Sequence, residues 1–272
     1  MYKDILKSPL ALVGLIMIII IMLVVIFAPL IAPNDPMQVD PTLKFQERSE
    51  EYPLGTDNLG RCTFSRLIYA TRTSMSIALP ILVVLIIISI ILSMIAGYYS
   101  GWFDKVMEII CNAFMAFPPI AIVLSLIGAL GQGIFNLAIS IIISSWVWYI
   151  RIIRNFILTE MAKPYIVSAK ISGCSDIKIM VYHILPNIIP QCLVFFSTGV
   201  AGIILMISGF AFLGIGIEPG IAEWGAMLNS GKSFLYSNPE LILYPGICIL
   251  FTATAFNLFG ESLRDILSKE EQ

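Results

Sequence analysis

Charged residues are scarce in this sequence, and their scarcity argues against an ordinary soluble fold. Asp, Glu, Lys and Arg make up 12% of the 272 residues, whereas 58% are hydrophobic. Soluble domains carry roughly a quarter charged residues. The 16 basic and 18 acidic residues nearly balance, so no bulk charge favours nucleic acid as a partner. The composition is typical of an integral membrane protein.

Histidine and paired cysteines are also nearly missing. The chain has one histidine, His183, and five cysteines without a C-x-x-C pair, which argues against a zinc site or a disulfide framework. We interpret the cysteines as small buried hydrophobic residues and His183 as a polar contact at a helix end. The cysteines are Cys62, Cys111, Cys174, Cys192 and Cys248.

The usual signs of an energy source are missing as well. An ion-coupled carrier normally holds ionisable groups within its spans, but the acids nearest the membrane, Glu108 and Glu261, lie close to span ends. There is no nucleotide-binding G-x-x-x-x-G-K-[ST] motif. If ATP drives this protein, a separate subunit must bind it, and a carrier is the alternative.

A membrane enzyme is the least favoured class, because no nucleophile, base or metal cluster is visible.

Six apolar runs predict an all-α, polytopic membrane protein, since roughly 20 helical residues cross about 30 Å of hydrocarbon. The first run is longer than the roughly 7 to 15 residues of a cleavable signal core, so we interpret it as a retained span. Pro118 and Pro119 interrupt the third and predict a kink or break around Phe117. The runs cover 10–32, 76–98, 106–130, 134–152, 188–210 and 241–260.

Basic residues predict which span ends lie in the cytoplasm. With the amino terminus inside, ten of the 16 basic residues are cytoplasmic and six are outside. The even number of spans then leaves both termini in the cytoplasm. The predicted parts are a tail with the first span (1–32), an outer loop (33–75), a core of five spans (76–264) that contains a cytoplasmic loop (153–187), and a cytoplasmic tail (265–272).

The cytoplasmic loop carries an ordered series of helix signals. Pro164 suits the first turn of a helix, and Gly173 suits the position after its end, because glycine adopts positive φ readily. Ser175 is suited to cap a second helix with Asp176 in its first turn, and Pro186 should end that helix. The segment therefore predicts two short helices that meet at a glycine corner and couple to a cytoplasmic partner.

A DNA-binding helix-turn-helix is the alternative for this segment. It is disfavoured, because a short loop between two membrane spans has too few basic residues and too little freedom to reach a duplex. We therefore expect no nucleic-acid partner.

Residues 165–187 resemble the EAA loop of permease subunits in bacterial ATP-binding-cassette importers. That pattern reads E-A-A, three residues, Gly, nine residues, I-x-L-P. Ala169, Gly173, Leu185 and Pro186 are in register, whereas Val167, Ser168 and His183 replace the Glu, the first Ala and the Ile. The resemblance implies a segment that couples an ATPase to the pore. The implied coupling residues are Ser168, Ala169, Lys170, Gly173, Cys174, Ser175, Asp176, His183, Leu185 and Pro186.

The rest of the chain is similar to C-type permeases of the dipeptide, oligopeptide and nickel group. The similarity lies in YPLGTDNLGRCTFSRLIYATRTSMSIALP (52–80), AFPPIAIVLSLIG (116–128) and SGFAFLGIGIEPGIAEWGAML (208–228). It implies a pore shared with a second permease, two ATPases on the cytoplasmic loops and an extracytoplasmic solute-binding protein, in the bacterial cytoplasmic membrane. It also implies that this chain binds no cofactor, since ATP and Mg²⁺ belong to the partner ATPases.

Three outer or membrane features are candidates for contact with the delivery protein, lipid or solute. Arg61, Arg66 and Arg72 recur at roughly helical spacing, and snorkelling arginines on an interfacial helix are the favoured interpretation. Glu223 and Trp224 form a candidate gate, although an interfacial tryptophan explains Trp224 equally well. The broken third span is a candidate hinge or a simple packing kink. The candidate solute-path residues are Phe117, Pro118, Glu223 and Trp224.

Local segments favour nickel over peptide as the solute. SSWVWYIRIIR (144–154), KISG (170–173) and AEWG (222–225) look more like the nickel branch of the group, and GRC at 60–62 departs from the GRD common in peptide permeases. A single cytoplasmic histidine cannot hold a bare metal tightly, which fits a chelate or a weakly held ion. We therefore expect nickel, free or chelated, with di- or oligopeptides as the alternative.

Overall fold

The computed structural model describes residues 8–270, with side chains described through residue 268. Two groups of residues lie outside this range. They are Lys3 and Lys7, which are among the basic residues that predict the orientation, and the last two residues of the predicted tail. Within it the chain is helical, apart from connections and a long folded loop. Its helices are α1 (Pro9–Ile31), α2 (Thr63–Tyr99), α3 (Trp102–Met115), α4 (Pro119–Leu130), α5 (Ile134–Met161), α6 (Pro164–Ile171), α7 (Asp176–Phe212), α8 (Trp224–Gly231) and α9 (Glu240–Glu270), with 3₁₀ turns at Pro41–Leu43 and Lys232–Phe234.

The helices confirm the prediction of about six spans. Helices α1, α2, α5, α7 and α9 are each long and apolar enough to cross a membrane. Helices α3 and α4 are apolar enough to form a sixth span when they are taken together, and they are bent by 86° at their junction. Since Pro118 and Pro119 lie at that junction, the predicted interruption of the third span is confirmed.

Several helices extend beyond the spans predicted from hydropathy. Helix α2 begins at Thr63 rather than at 76, so it includes part of the predicted outer loop, and α5 ends at Met161 rather than at 152. Helix α9 continues to Glu270, into the predicted tail. The difference arises because an apolar run marks the part of a helix that faces lipid, whereas helical hydrogen bonds continue into polar ends.

Helix α2 lies at the centre of the bundle. It packs along α5, α1 and α7, while α9 packs against α1 and α7. A large apolar core joins these helices, with Leu82, Leu85, Ile141 and Ile204 fully buried. We call the end of the bundle that carries residues 162–175 the corner end, and the end that carries 32–62 and 213–239 the loop end.

Candidate functional site

The corner has two arms, helix α6 before Gly173 and the start of α7 after it. The first arm has the predicted form. Helix α6 begins at Pro164, and Gly173 follows its last turn with a φ of +77°. The N–H of Gly173 donates to the carbonyl of Lys170 at 3.1 Å, and the N–H of Cys174 donates to the carbonyl of Ala169 at 3.1 Å. This pair of bonds is a Schellman motif, which needs a residue at positive φ in the position of Gly173.

The second arm differs from the prediction. Asp176 lies in the first turn as expected, but the side chain of Ser175 makes no capping hydrogen bond. The helix does not end before Pro186; it continues to Phe212 through a π-helical stretch, Ile179–Ile184. The wider π turn rearranges the hydrogen bonds ahead of the proline, so its ring and missing N–H are accommodated. The corner is therefore one short helix joined to the end of a membrane span.

Apolar packing holds the corner against the spans. Ile166, Ile179 and Ile184 are fully or almost fully buried, and they share a cluster with Ile153 and Ile157 of α5. Because buried side chains from both arms pack in one cluster, rotation of one arm relative to the other would disrupt that packing. The corner is therefore packed onto α5 and α7.

A polar network supports the same corner. The Tyr165 hydroxyl lies within hydrogen-bond distance of the Glu160 carboxylate and 3.0 Å from the carbonyl of His183. The side-chain amide of Asn187 donates to that carbonyl at 2.6 Å, and Lys163 pairs with Glu160 at 2.7 Å. Burial and the adjacent Glu160 raise the pKa of Tyr165 to about 12, so the hydroxyl keeps its proton at neutral pH.

Large apolar side chains are exposed on the corner among polar ones. Ile171 is 82% exposed and Tyr182 is 72% exposed, and Val167 and Ile177 are also exposed. Among the predicted coupling residues, Ala169, Cys174, His183 and Leu185 are half-buried. The other predicted coupling residues are exposed, and they are Ser168, Lys170, Gly173, Ser175, Asp176 and Pro186.

A cavity of about 360 Å³ opens between α4, α5 and α7. Tyr149 and Phe195 line it together with the hydroxyls of Ser145 and Thr198. A Cβ on Gly199 would lie 2.8 Å from the Tyr149 hydroxyl oxygen, so glycine at this position leaves room for that hydroxyl. Ser145 and Thr198 are polar residues in the middle of the predicted spans 134–152 and 188–210, which is the sequence signal that could have indicated this cavity.

The predicted solute-path residues do not come together in this cavity. Pro119 lines it, whereas Phe117 and Pro118 lie beside it at the break between α3 and α4, with both side chains exposed. Glu223 and Trp224 lie at the loop end, outside the residues that line the cavity. The two predicted pairs therefore lie at different places in the fold.

Glu223 and Trp224 are buried, so Trp224 does not belong to an interfacial tryptophan belt. The Glu223 carboxylate accepts a hydrogen bond from the Ser74 hydroxyl at 3.1 Å, one from the Ser208 hydroxyl at 3.1 Å, and one from the N–H of Ala226 at 2.8 Å. It thereby caps α8 and links that helix to α2 and α7. Burial raises the pKa of Glu223, while these hydrogen bonds oppose the rise.

The arginines near the start of α2 are not snorkelling side chains. Arg61 is 4% exposed and Arg66 is 2% exposed. Both pair with the Asp57 carboxylate, Arg61 at 2.7 Å and Arg66 at 3.4 Å. Only Arg72 of the three is exposed. The interfacial interpretation is wrong for Arg61 and Arg66, because the folded outer loop supplies a carboxylate that hydropathy does not reveal.

The cysteines form no disulfide bonds. All five cysteines are free, and Cys62, Cys111 and Cys192 are buried. Among residues 8–270, no three His, Cys, Asp or Glu side chains lie in a group that could hold a metal ion.

Two family models match the chain. The model described as binding-protein-dependent transport system inner membrane component matches residues 89–270. The N-terminal TM domain of oligopeptide transport permease C matches residues 1–47. The first match includes the corner, the cavity and the buried Glu223.

Three similar proteins align with almost the whole chain. The nickel transport system permease protein NikC of Escherichia coli (strain K12) is 30% identical over 93% of this chain and 92% of its own length. The metal-staphylopine import system permease protein CntC of Staphylococcus aureus (strain NCTC 8325 / PS 47) is 38% identical, over 96% and 91%. The dipeptide transport system permease protein DppC of Alkalihalophilus pseudofirmus (strain ATCC BAA-2126 / JCM 17055 / OF4) is 33% identical, over 98% and 88%.

Proposed function

The chain belongs to the family of binding-protein-dependent transport system inner membrane components, and we propose that it forms part of the pore of an ATP-driven importer of nickel, free or chelated. A second permease completes the pore, two ATPase subunits bind the corner end, and an extracytoplasmic protein delivers the solute at the loop end. The observation that carries this proposal is the corner itself, which is packed against two spans and exposes large apolar side chains.

The outward face of the corner supports the docking of an ATPase. Val167, Ile171, Ile177 and Tyr182 are exposed on a segment that also carries exposed Lys170. Contiguous exposed apolar side chains on a protein surface mark an interaction site. Val167 stands where the EAA pattern has a glutamate, so the contact at this point is apolar rather than ionic.

The distribution of basic residues supports the orientation. Lys105, Arg151, Arg154, Lys163 and Lys170 all lie at the corner end, close to the ends of spans. An excess of Lys and Arg near the ends of spans marks the cytoplasmic side. The corner end therefore faces the cytoplasm, where ATP is available, and the loop end faces outward.

The cavity between α4, α5 and α7 is the proposed part of the solute path within this subunit. It combines aromatic walls, at Tyr149 and Phe195, with the hydroxyls of Ser145 and Thr198. Small-molecule sites commonly have such apolar walls with few polar groups. Phe117 and Pro118 lie at the adjoining break, where a change in the 86° bend would alter access to the cavity.

Transport then requires movement of this chain rather than chemistry in it. When the two ATPases close on ATP, they draw the paired corners together. Because Ile166 and Ile179 are buried against α5, a displaced corner carries α5 and α7 with it. Since α5 and α7 also form walls of the cavity, their movement opens it alternately to each side. ATP and Mg²⁺ remain in the ATPase subunits.

The similar proteins are named for metal and for peptide transport, so peptide remains the second candidate. CntC, named for metal-staphylopine import, is 38% identical to this chain, and DppC, named for dipeptide transport, is 33% identical. NikC, named for nickel transport, is 30% identical. These identities do not separate metal from peptide, so the preference for nickel rests on the local segments that resemble the nickel branch.

Deletion of the gene tests the solute. In metal-poor medium, we expect the deletion strain to contain less nickel and to lose nickel-dependent enzyme activity, while growth on a dipeptide as amino-acid source is unchanged. Elemental analysis and growth curves measure both effects, and re-expression of the wild-type chain is the control. Normal nickel content with impaired growth on the dipeptide would reassign the solute to peptides.

A further inference from the structure

Tyr98, near the corner end of α2, contacts both arms of the corner. Its hydroxyl donates a hydrogen bond to the Asp176 carboxylate at 2.6 Å, on the first turn of α7. The Lys170 amino group, on α6, lies 4.7 Å from the centre of the Tyr98 ring. The ring itself is buried in the apolar cluster that holds the corner. One side chain of α2 is therefore connected to both helices of the corner.

The other end of α2 is bound to the loop end of the molecule. Arg66 donates to the carbonyl of Gly220 at 3.2 Å and to that of Pro36 at 3.1 Å. Ser74 donates to the Glu223 carboxylate at 3.1 Å. Gly220 and Glu223 belong to the connection between α7 and α8, in which Gly214, Gly216 and Gly220 have positive φ. This connection is the outer segment, residues 213–223.

Helix α2 is continuous between these two sets of contacts. It has 37 residues, and Pro80 lies inside it without ending it. At a rise of about 1.5 Å per residue, the helix is about 55 Å long and reaches from the corner end to the loop end. This continuous helix, packed on three neighbours, therefore joins the contacts of Tyr98 to those of Arg66 and Ser74.

We propose that α2 connects the corner mechanically to the outer segment, and that Tyr98 is the positioning residue that fixes α2 to the corner. The proposal rests on the coupling role of the corner in the proposed function. When the corner moves, Tyr98 follows it, because its hydroxyl is hydrogen-bonded to Asp176 and the Lys170 amino group lies over its ring. Arg66 and Ser74 then shift the outer segment, so ATP binding at one end is coordinated with access at the other.

Tyr98→Phe separates this coupling role from simple packing, because it keeps the buried ring and removes only the hydroxyl. Tyr99→Phe is the matched control, since Tyr99 is the next residue, is 55% exposed and donates no side-chain hydrogen bond among the described residues. Asp176→Asn keeps a side-chain oxygen that accepts from the hydroxyl, whereas Asp176→Ala removes it.

The test measures ATP hydrolysis and solute uptake together, in the complete complex reconstituted in lipid vesicles with its delivery protein. We expect the Tyr98→Phe complex to hydrolyse at least about three times as much ATP per solute imported as the wild-type complex does. The reason is the loss of one charge-assisted hydrogen bond between moving parts. Its ATPase rate and its thermal unfolding midpoint should remain close to wild type. Asp176→Ala should reproduce the effect, Asp176→Asn should largely restore coupling, and the double variant Tyr98→Phe/Asp176→Ala should be no worse than either single variant.

The outcomes separate the inference from the proposed function. If Tyr98→Phe and Tyr99→Phe import the same amount of solute per ATP, Tyr98 does not fix α2 to the corner. If Tyr98→Phe loses stability and ATPase activity together, its role is packing, and the inference fails. If the wild-type complex shows no ATP-driven uptake of nickel, chelated nickel or dipeptide, the proposed function fails instead.

Discussion

Gly173→Val is expected to abolish ATP-driven uptake while the chain still inserts in the membrane and the delivery protein still binds its solute. Gly173 holds a φ of +77°, and an added Cβ would meet nothing within 4 Å. The cost is therefore backbone strain of about 1–2 kcal/mol, larger for a β-branched residue, and it does not come from a clash of the added Cβ with a neighbour. Relief of that strain breaks the Schellman bonds and reorients α6, so its exposed apolar side chains no longer meet the ATPase. Uptake by vesicles containing the complex, together with solute binding by the free delivery protein, measures the effect.

Substitutions at the same position supply the controls for this prediction. Asparagine tolerates the left-handed conformation, so Gly173→Asn should retain most uptake, and Gly173→Ala should be intermediate. Gly246→Ala changes a helical glycine whose Cβ would also meet open space, and it should have little effect. Normal uptake per ATP by Gly173→Val would show that the left-handed corner is not required for coupling.

Glu223→Ala is expected to have the largest effect on stability. It leaves the buried Ser74 and Ser208 hydroxyls without their acceptor and removes the cap of α8. Two orphaned donors and a lost cap cost on the order of 2–4 kcal/mol. We expect a lower thermal unfolding midpoint and a lower yield of folded protein in detergent.

Two variants show whether Glu223 stabilises the fold or contacts the solute. Glu223→Gln keeps an oxygen that accepts from the serines, so it should lie between wild type and Glu223→Ala in stability, with normal uptake per folded complex. Glu218→Ala removes an exposed acid from the same outer segment and should leave stability unchanged. A Glu223→Ala variant as stable as wild type but inactive in uptake would restore the gate interpretation.

Local signals in the sequence were sufficient to predict the first arm of the corner. Pro164 and Gly173 act through their own backbone geometry, which the surrounding fold does not change. The prediction that the second helix ends before Pro186 was wrong, because the effect of this proline depends on the surrounding structure. That effect depends on whether the preceding turn can widen, and the π-helical stretch Ile179–Ile184 provides that wider turn. Proline alone therefore did not predict where the second helix ends.

Contacts that local sequence patterns do not reveal account for the other differences. Asp57 pairs with Arg66, and Glu223 accepts from Ser74, which is 149 positions earlier in the chain. Hydropathy and spacing carry no information about such partners, so buried arginines resembled interfacial ones and the burial of Glu223 was not predicted. The cavity was missed similarly, because Tyr149 and Phe195 become its walls only when α5 and α7 pack together.

Cysteine labelling at Ser172 tests the central claim most directly, namely that the corner faces the cytoplasm and carries the ATPase. Ser172 is exposed on the corner, and Glu50 is exposed at the loop end. In a chain whose native cysteines have been replaced, Ser172→Cys should resist a membrane-impermeant thiol reagent in intact cells, whereas Glu50→Cys should react. In inside-out vesicles, Ser172→Cys should react, and more slowly when the ATPase subunits are bound. Rapid labelling of Ser172→Cys in intact cells, or labelling in vesicles that the ATPase does not slow, would contradict the account.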